Sequence, residues 1–171
     1  MNDQDAREDG QERCWKLAWN IQLGIRYHMH MQNFYGRFGK FVTIFTLILS
    51  TSAGATLFGS ATDIAKILAF MAALLQAFEL VIDSKSKLTL HTTLRQKYIQ
   101  LGAELAVYDS LIKDDEARFK AKIALIEVEE PPIIYSLMDS CHNELVKSHK
   151  LEASNYELLS FPRNIIAWWY N

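Results

Sequence analysis

Residues 41–62 read FVTIFTLILSTSAGATLFGSAT, a run of 22 positions without a single charged side chain. Beyond Asp63 a second apolar stretch begins and continues to Ile82, interrupted by Lys66, Gln76 and Glu79. A helix crosses the ~30 Å hydrocarbon core of a bilayer with about 20 consecutive apolar residues. Two such stretches joined by so short a link predict a transmembrane helical hairpin. The competing reading is a soluble bundle with two buried core helices, consistent with an unremarkable mean hydropathy of -0.03 over the whole chain. A soluble core helix, however, normally carries a polar stripe. Residues 41–58 offer no polar side chain beyond Ser and Thr.

The flanks favour the membrane. From Arg13 to Lys40 the chain carries five cations and no acid, and from Ser84 to Gln100 it carries Lys85, Lys87, Arg95 and Lys97, again with no acid. Short Lys- and Arg-rich segments beside membrane helices stay cytoplasmic. Both termini are therefore expected on the cytoplasmic side of a two-pass inner-membrane protein, with a tight turn near Ser60–Asp63. Arg26, Arg37, Lys40, Lys85 and Lys87 form the basic collars, which favour anionic headgroups by about 1 kcal/mol per cation. Lys66 would snorkel at the other end.

The 171 residues suit one domain's worth of chain, and the net charge of -2 identifies no partner. The opening MNDQDAREDGQE is read as a flexible acidic tail over 1–12. It lacks the basic-then-apolar order of a secretory signal, so the hairpin is expected to act as the membrane address. A cytoplasmic helix over 13–40 then leads into the hairpin at 41–83, and a cytoplasmic helical region with an aromatic end fills 84–171. Prolines occur only at 131, 132 and 162, so the fold is expected to be all-α. The second membrane helix shows no stop signal. Its continuation places Leu94, Tyr98, Leu101, Leu105, Tyr108 and Ile112 at alternating spacings of three and four, a heptad-like seam for a helical stalk. Further helices are predicted from the Asp114-Asp115-Glu116 cluster to the Pro131-Pro132 pair and over about 133–150. Ile134, Leu137, Met138, Cys141 and Leu145 form the packing stripe of the latter.

Catalytic constellations are not found, and no enzymatic activity is expected. His28 and His30 point about 200° apart on a helix, and His142 and His149 lie roughly 10 Å apart along one, so neither pair shares a metal. The histidines are read as interface or headgroup-level residues. Glu127, Glu129 and Glu130 are read as a solvated helix end, and Cys14 and Cys141 as reduced thiols without metal-ligand spacing. No phosphate-cradling glycine loop is present, and no cofactor is expected. Nucleic acid is not an expected partner, because the cations cluster where a bilayer would want them.

The second membrane helix carries more specific information. Ala65, Ala69, Ala73 and Ala77 share one stripe, with Gln76, Glu79 and Asp83 on the adjacent face and Ile67, Phe70, Met71, Leu74 and Phe78 opposite. On the first membrane helix Thr43, Thr46, Ser50 and Gly54 fall in one sector. Small stripes allow close backbone approach in lipid, and polar side chains bond across helices. Either these faces zip the hairpin together, or copies assemble and turn a leftover polar face toward a central cavity. An ionisable group such as Glu79 within a span marks a water-filled path or a buried pair. The aromatic cluster at 161–170 suits either the headgroups or the top of the stalk.

One family resemblance runs through roughly residues 15–150. It is carried by the hairpin itself, by Arg26-Tyr27-His28 before it and by Leu94-Arg95-Gln96-Lys97-Tyr98 after it. The Pro-Pro break and the segment Asp139-Ser140-Cys141-His142-Asn143-Glu144-Leu145 complete it. The chain resembles the bacterial SLATT family, two-transmembrane proteins found beside nucleotide-signalling modules in anti-phage operons. The resemblance implies an effector that forms a pore or perturbs the inner membrane, triggered by an upstream sensor protein or a nucleotide signal, and the leftover polar face adds the expectation of a homo-oligomer. The alternative is a non-conducting anchor that docks a soluble partner on its cytoplasmic helices.

Overall fold

The computed structural model describes residues 3–57, 62–158 and 170. Among these the regular elements are all helical: α1 (Asp3–Leu57), α2 (Thr62–Ile82), α3 (Ser84–Leu105), α4 (Lys113–Glu127), α5 (Tyr135–Ser148) and a 3₁₀ turn at Ala153–Asn155. The chain divides into two compact units, one of Met1–Met31 with Leu90–Asn171, the other of Gln32–Thr89. The expected turn near Ser60 and the aromatic cluster at 161–169 lie outside the described residues.

The first unit is a helical bundle with a conventional core. Leu17 and Ile21 of α1 pack with Leu94, Tyr98, Leu101 and Leu105 of α3, with Leu111, and with Phe119, Ile123 and Ile126 of α4. The inward positions of α1 are Leu17, Ile21, Gly24, His28 and Met31, and those of α3 are His91, Leu94, Tyr98, Leu101 and Leu105. Both series step by threes and fours, the period at which two helices share a straight seam. Gly24 lets α1 approach closely, because a Cβ there would lie 2.8 Å from Cζ of Tyr98. Of the expected stripe, Leu137, Cys141 and Leu145 of α5 are fully enclosed, while Met138 and Ile134, the residue ahead of the helix, are half-buried. α4 opens on Asp114, Asp115 and Glu116, acids that complement the helix N-terminus. It ends ahead of the proline pair, which disfavours helix in the residue before it.

Three expectations change here. The helix reaches back to Asp3 instead of beginning near residue 13, and the Gly10 carbonyl accepts the Leu111 amide at 3.1 Å. The stalk seam ends at Leu105: Tyr108 is 39% exposed and Ile112 64% exposed. α3 stops there, so the heptad phase is lost beyond it, and Leu111 takes the inward place instead. The third change lies in the other unit. α2 does not run on unbroken, because Asp83 adopts φ +49° between α2 and α3. Aspartate tolerates this left-handed conformation better than most residues. Its carboxylate accepts the Ser86 amide at 3.3 Å, capping α3.

That second unit comprises residues 32–57 of α1, all of α2 and the first turns of α3. Val42, Ala65, Ala72 and Ser84 are buried in it, whereas the large side chains Phe41, Ile44, Leu47, Ile67, Phe70, Phe78 and Leu80 are exposed. One helical stretch among the described residues, Asp63–Leu105, is long and apolar enough to cross a membrane, and only 11% of its apolar window is buried. A core helix of a soluble bundle would be mostly buried. The uncharged part of α1 is described as far as Leu57, and among the described residues α1 is not a second such stretch.

Two glycines of α1 provide a paired test of the packing. The Tyr98 ring cannot swing away from a Gly24→Ala methyl, because its hydroxyl is held by Glu130 at 2.7 Å. Overpacking of about 1–3 kcal/mol should outweigh the roughly 1 kcal/mol gained in helix propensity. Gly36→Ala would meet only Leu88 Cδ1, at 3.7 Å, an ordinary contact. Thermal unfolding of the full chain in detergent should show a lowered midpoint for the first variant and an equal or higher one for the second.

Candidate functional site

At ~100° per residue, the positions of α2 sort into three sectors rather than two. Ala65, Leu68, Ala72, Leu75, Glu79 and Ile82 are its buried or half-buried positions. Their three-four spacing marks the seam within the unit. Ile67, Phe70, Met71, Leu74, Phe78 and Val81 form an exposed sector of large apolar side chains. Ala69, Ala73, Gln76, Ala77 and Leu80 form the third, also exposed.

This corrects the expected stripe. Of its four alanines only Ala65 is buried; Ala69, Ala73 and Ala77 remain open, with Gln76 beside them, and Ala72 takes the close-packing role. Ala72 falls nearer Glu79 on the wheel than Ala69 or Ala73 does, so a stripe drawn through every fourth residue drifts off the seam. On α1, Thr46 is half-buried but Thr43 and Ser50 are exposed, and Thr43 donates to the Gly39 carbonyl at 2.8 Å. The surroundings of Gly54 lie outside the described residues.

The polar atoms of the seam are incompletely matched. Glu79 accepts a hydrogen bond from Ser84 through Oε1, and Gly39 leaves room for that contact, since a Cβ there would lie 2.6 Å from Ser84 Oγ. Glu79 Oε2 and Thr46 Oγ1 are buried without a hydrogen-bond partner, an arrangement that costs free energy wherever water is excluded. Beside Glu79 lies an open recess of about 570 Å³ lined by Gln76, Ala77, Glu79, Leu80, Asp83 and Lys85. Asp83 and Lys85 are exposed, as are Arg37 and Lys40, and Lys87 lies 5.4 Å over the Tyr35 ring.

Arg26 belongs to the other unit, and its role differs from the one expected. It donates to Glu144 at 3.3 Å and to Ser148 at 3.3 Å, tying α1 to α5, rather than standing in a basic collar. His30 joins the same carboxylate at 3.1 Å.

The same unit holds a polar cluster that periodicity alone did not reveal. His28 and His91 are buried, and their Nδ1 atoms face each other at 2.9 Å. His28 Nε2 lies 3.1 Å from Glu130 Oε1, which also accepts the Tyr98 hydroxyl at 2.7 Å. Tyr27 closes the cluster by accepting the Ile134 amide at 3.1 Å through its hydroxyl. Glu130 is therefore not part of a solvated helix end, and His28 and His91 are not headgroup-level residues. Only Glu129 keeps a surface pairing, with Lys97 at 2.5 Å. A signal was nonetheless present in the spacing: His28 falls four after Gly24, and His91 three before Leu94, so both occupy seam positions.

Burial works against the Glu130 carboxylate, yet the hydrogen bonds from His28 and Tyr98 and the two imidazoles outweigh it and hold the carboxyl below its ordinary range. Burial, reinforced by Glu130, pushes the Tyr98 hydroxyl up. The Cys141 thiol is pushed up to about 12, first by burial and then by Glu144. A thiol so placed is inert at neutral pH. Elsewhere in this unit a recess of about 270 Å³ is lined by Glu104, Val107, Tyr108, Asp115, Arg118, Phe119 and Lys122, with Lys122 held by Glu104 and Arg118 by Asp115. Among the described residues no group of three or more His, Cys, Asp or Glu is placed to hold a metal ion.

No family model, no curated protein and no solved structure matches the chain.

The lowered carboxyl sets the sign of one pH effect. Stability contributed by Glu130 is complete above the ordinary carboxylate range and is lost as pH falls through its lower folded-state value. Glu130→Gln should lower stability at neutral pH and flatten the loss below about pH 4.5. Thermal midpoints of both proteins between pH 7 and 3 check this.

Proposed function

We propose that this chain is a two-pass membrane effector whose copies associate through the open small-polar sector of α2. On activation they form a pore or disrupt the inner membrane. The observation that carries the reading is the three-way division of α2. One sector is used within the chain and a second is too greasy for water. The third, Ala69, Ala73, Gln76, Ala77 and Leu80, is mostly small and carries a glutamine, yet is left uncovered by the single chain. Lipid gives helices no hydrophobic reason to associate, so a small-residue face with a glutamine is the kind of surface through which membrane helices pack.

In this reading the uncharged half of α1 supplies the second pass, and the basic flanks favour cytoplasmic termini. The unpartnered oxygens of Glu79 and Thr46 are consistent with a protein whose working state differs from the single chain. A carboxylate beside a recess in such a hairpin suits a water-filled path in the assembly. The resemblance to the SLATT family points the same way and supplies the trigger class, a sensor protein or nucleotide signal.

Sizing in mild detergent and dye release from liposomes of anionic lipid test the proposal together. The full chain should run as a homo-oligomer and release dye once activated. Ala73→Leu with Gln76→Leu should weaken association by about 1–2 kcal/mol, roughly 5- to 30-fold, and reduce release. Phe70→Leu, in the large apolar sector, should change neither. A monomer that binds a stoichiometric soluble partner and releases no dye would favour the anchor instead.

A further inference from the structure

The buried histidine pair has a proton-counting property that none of its neighbours shares. With Nδ1 atoms 2.9 Å apart, His28 and His91 are within hydrogen-bond distance of each other. Such a gap holds one hydrogen, donated by one ring and accepted by the other. A second hydrogen would set two N–H groups head to head at a separation where neither has a lone pair to meet. His28 Nε2 is already committed as a donor to Glu130. The folded pair therefore carries at most three ring protons, whereas two imidazolium rings in an unfolded chain carry four.

We propose that His28 and His91 form an acid-sensitive latch on the unit built from α3, α4, α5 and the first part of α1. The folded bundle accepts one imidazole proton fewer than the unfolded chain, so acid favours opening. Above the imidazole range, near pH 6.5, both states hold one proton per ring and the latch is neutral. Below it the unfolded chain gains two protons and the folded pair at most one. Where the unfolded state binds more protons, stability falls as pH falls. One missing proton corresponds to up to a tenfold change in the opening equilibrium per pH unit.

The surroundings keep the pair from escaping this limit. The side chain of His28 is 1% exposed, so water has little room to take over the lost bond. The ionisable groups seen against the pair include Tyr27 from α1, Tyr98 from α3 and Glu130 from the segment behind α4, and Glu127 at the end of α4 acts on Tyr98. Arg95 lies one turn beyond His91 on α3. On α5, Glu144 is engaged by Arg26 and His30. Glu130 lies against His28 Nε2 and creates no space for a second hydrogen between the two Nδ1 atoms.

Hydrogen exchange of the full chain in detergent, read as protection factors at the Leu94, Tyr98 and Leu101 amides, tests the latch against His91→Asn. The asparagine can donate to or accept from His28 Nδ1 and imposes no proton limit. Wild-type protection should drop by up to tenfold per unit between about pH 6 and 5, while the variant stays flat there. The His30–Glu144 pair is present in both proteins, so it cancels in the comparison. Equal slopes in the two proteins would overturn the proposal. Nitrogen-15 NMR of the histidines in the wild-type chain decides the matter even if the variant fails to fold. One of the two rings should stay neutral at pH 5 in the folded protein; finding both doubly protonated with the bundle intact would refute the latch.

Discussion

Large apolar side chains that face outward need a non-aqueous neighbour, and α2 has a whole sector of them. Ile67, Phe70 and Phe78 are all more than half exposed, and Val81 is more than four-fifths exposed. Each would leave roughly 1.5–3 kcal/mol of transfer free energy unrealised in water. That constraint supports the proposal that Gln32–Thr89 lies in lipid, where the backbone bonds are satisfied within each helix and the outer face needs no protein cover.

The unit made from Met1–Met31 and Leu90–Asn171 follows the opposite logic. Its core is apolar and closed, and its buried histidine pair, Tyr98 and Glu130 are matched to one another. Tyr98, His28 and His91 each occupy a place on the α1–α3 seam that an aliphatic residue could fill. They are tolerated because Glu130 arrives from behind α4 to complete their hydrogen bonds. Such networks specify register more sharply than greasy contacts do. Removing any one member leaves the others buried and unmatched. The same matching that makes the cluster a good lock within this unit makes it responsive to protons.

Much of this was legible in the residues. The all-helical class followed from sparse prolines and glycines, the acids at Asp114–Glu116 marked the start of α4, and Leu137, Cys141 and Leu145 of the α5 stripe came out buried. Periodicity failed where an element ended, since nothing local at Leu105 announces that Tyr108 and Ile112 leave the seam. It also misled on α2, where alanines every fourth residue drew the eye away from the heptad line through Ala65, Ala72 and Glu79. The break at Asp83 left only a faint signal, an aspartate three residues before the Ser86 amide it caps. The histidine cluster was hidden for a different reason. Its partners lie far apart in the chain, and a histidine on a seam looks like a surface residue until the tertiary fold closes around it.

Spin-label accessibility on α2, reconstituted in lipid with both native cysteines replaced by serine, tests the central claim most directly. A label at position 70 should be relaxed by oxygen and shielded from a water-soluble nickel reagent, and a label at position 73 should be shielded from both by a neighbouring copy. Ready access of the nickel reagent to position 70 would place that side chain in water and contradict the account.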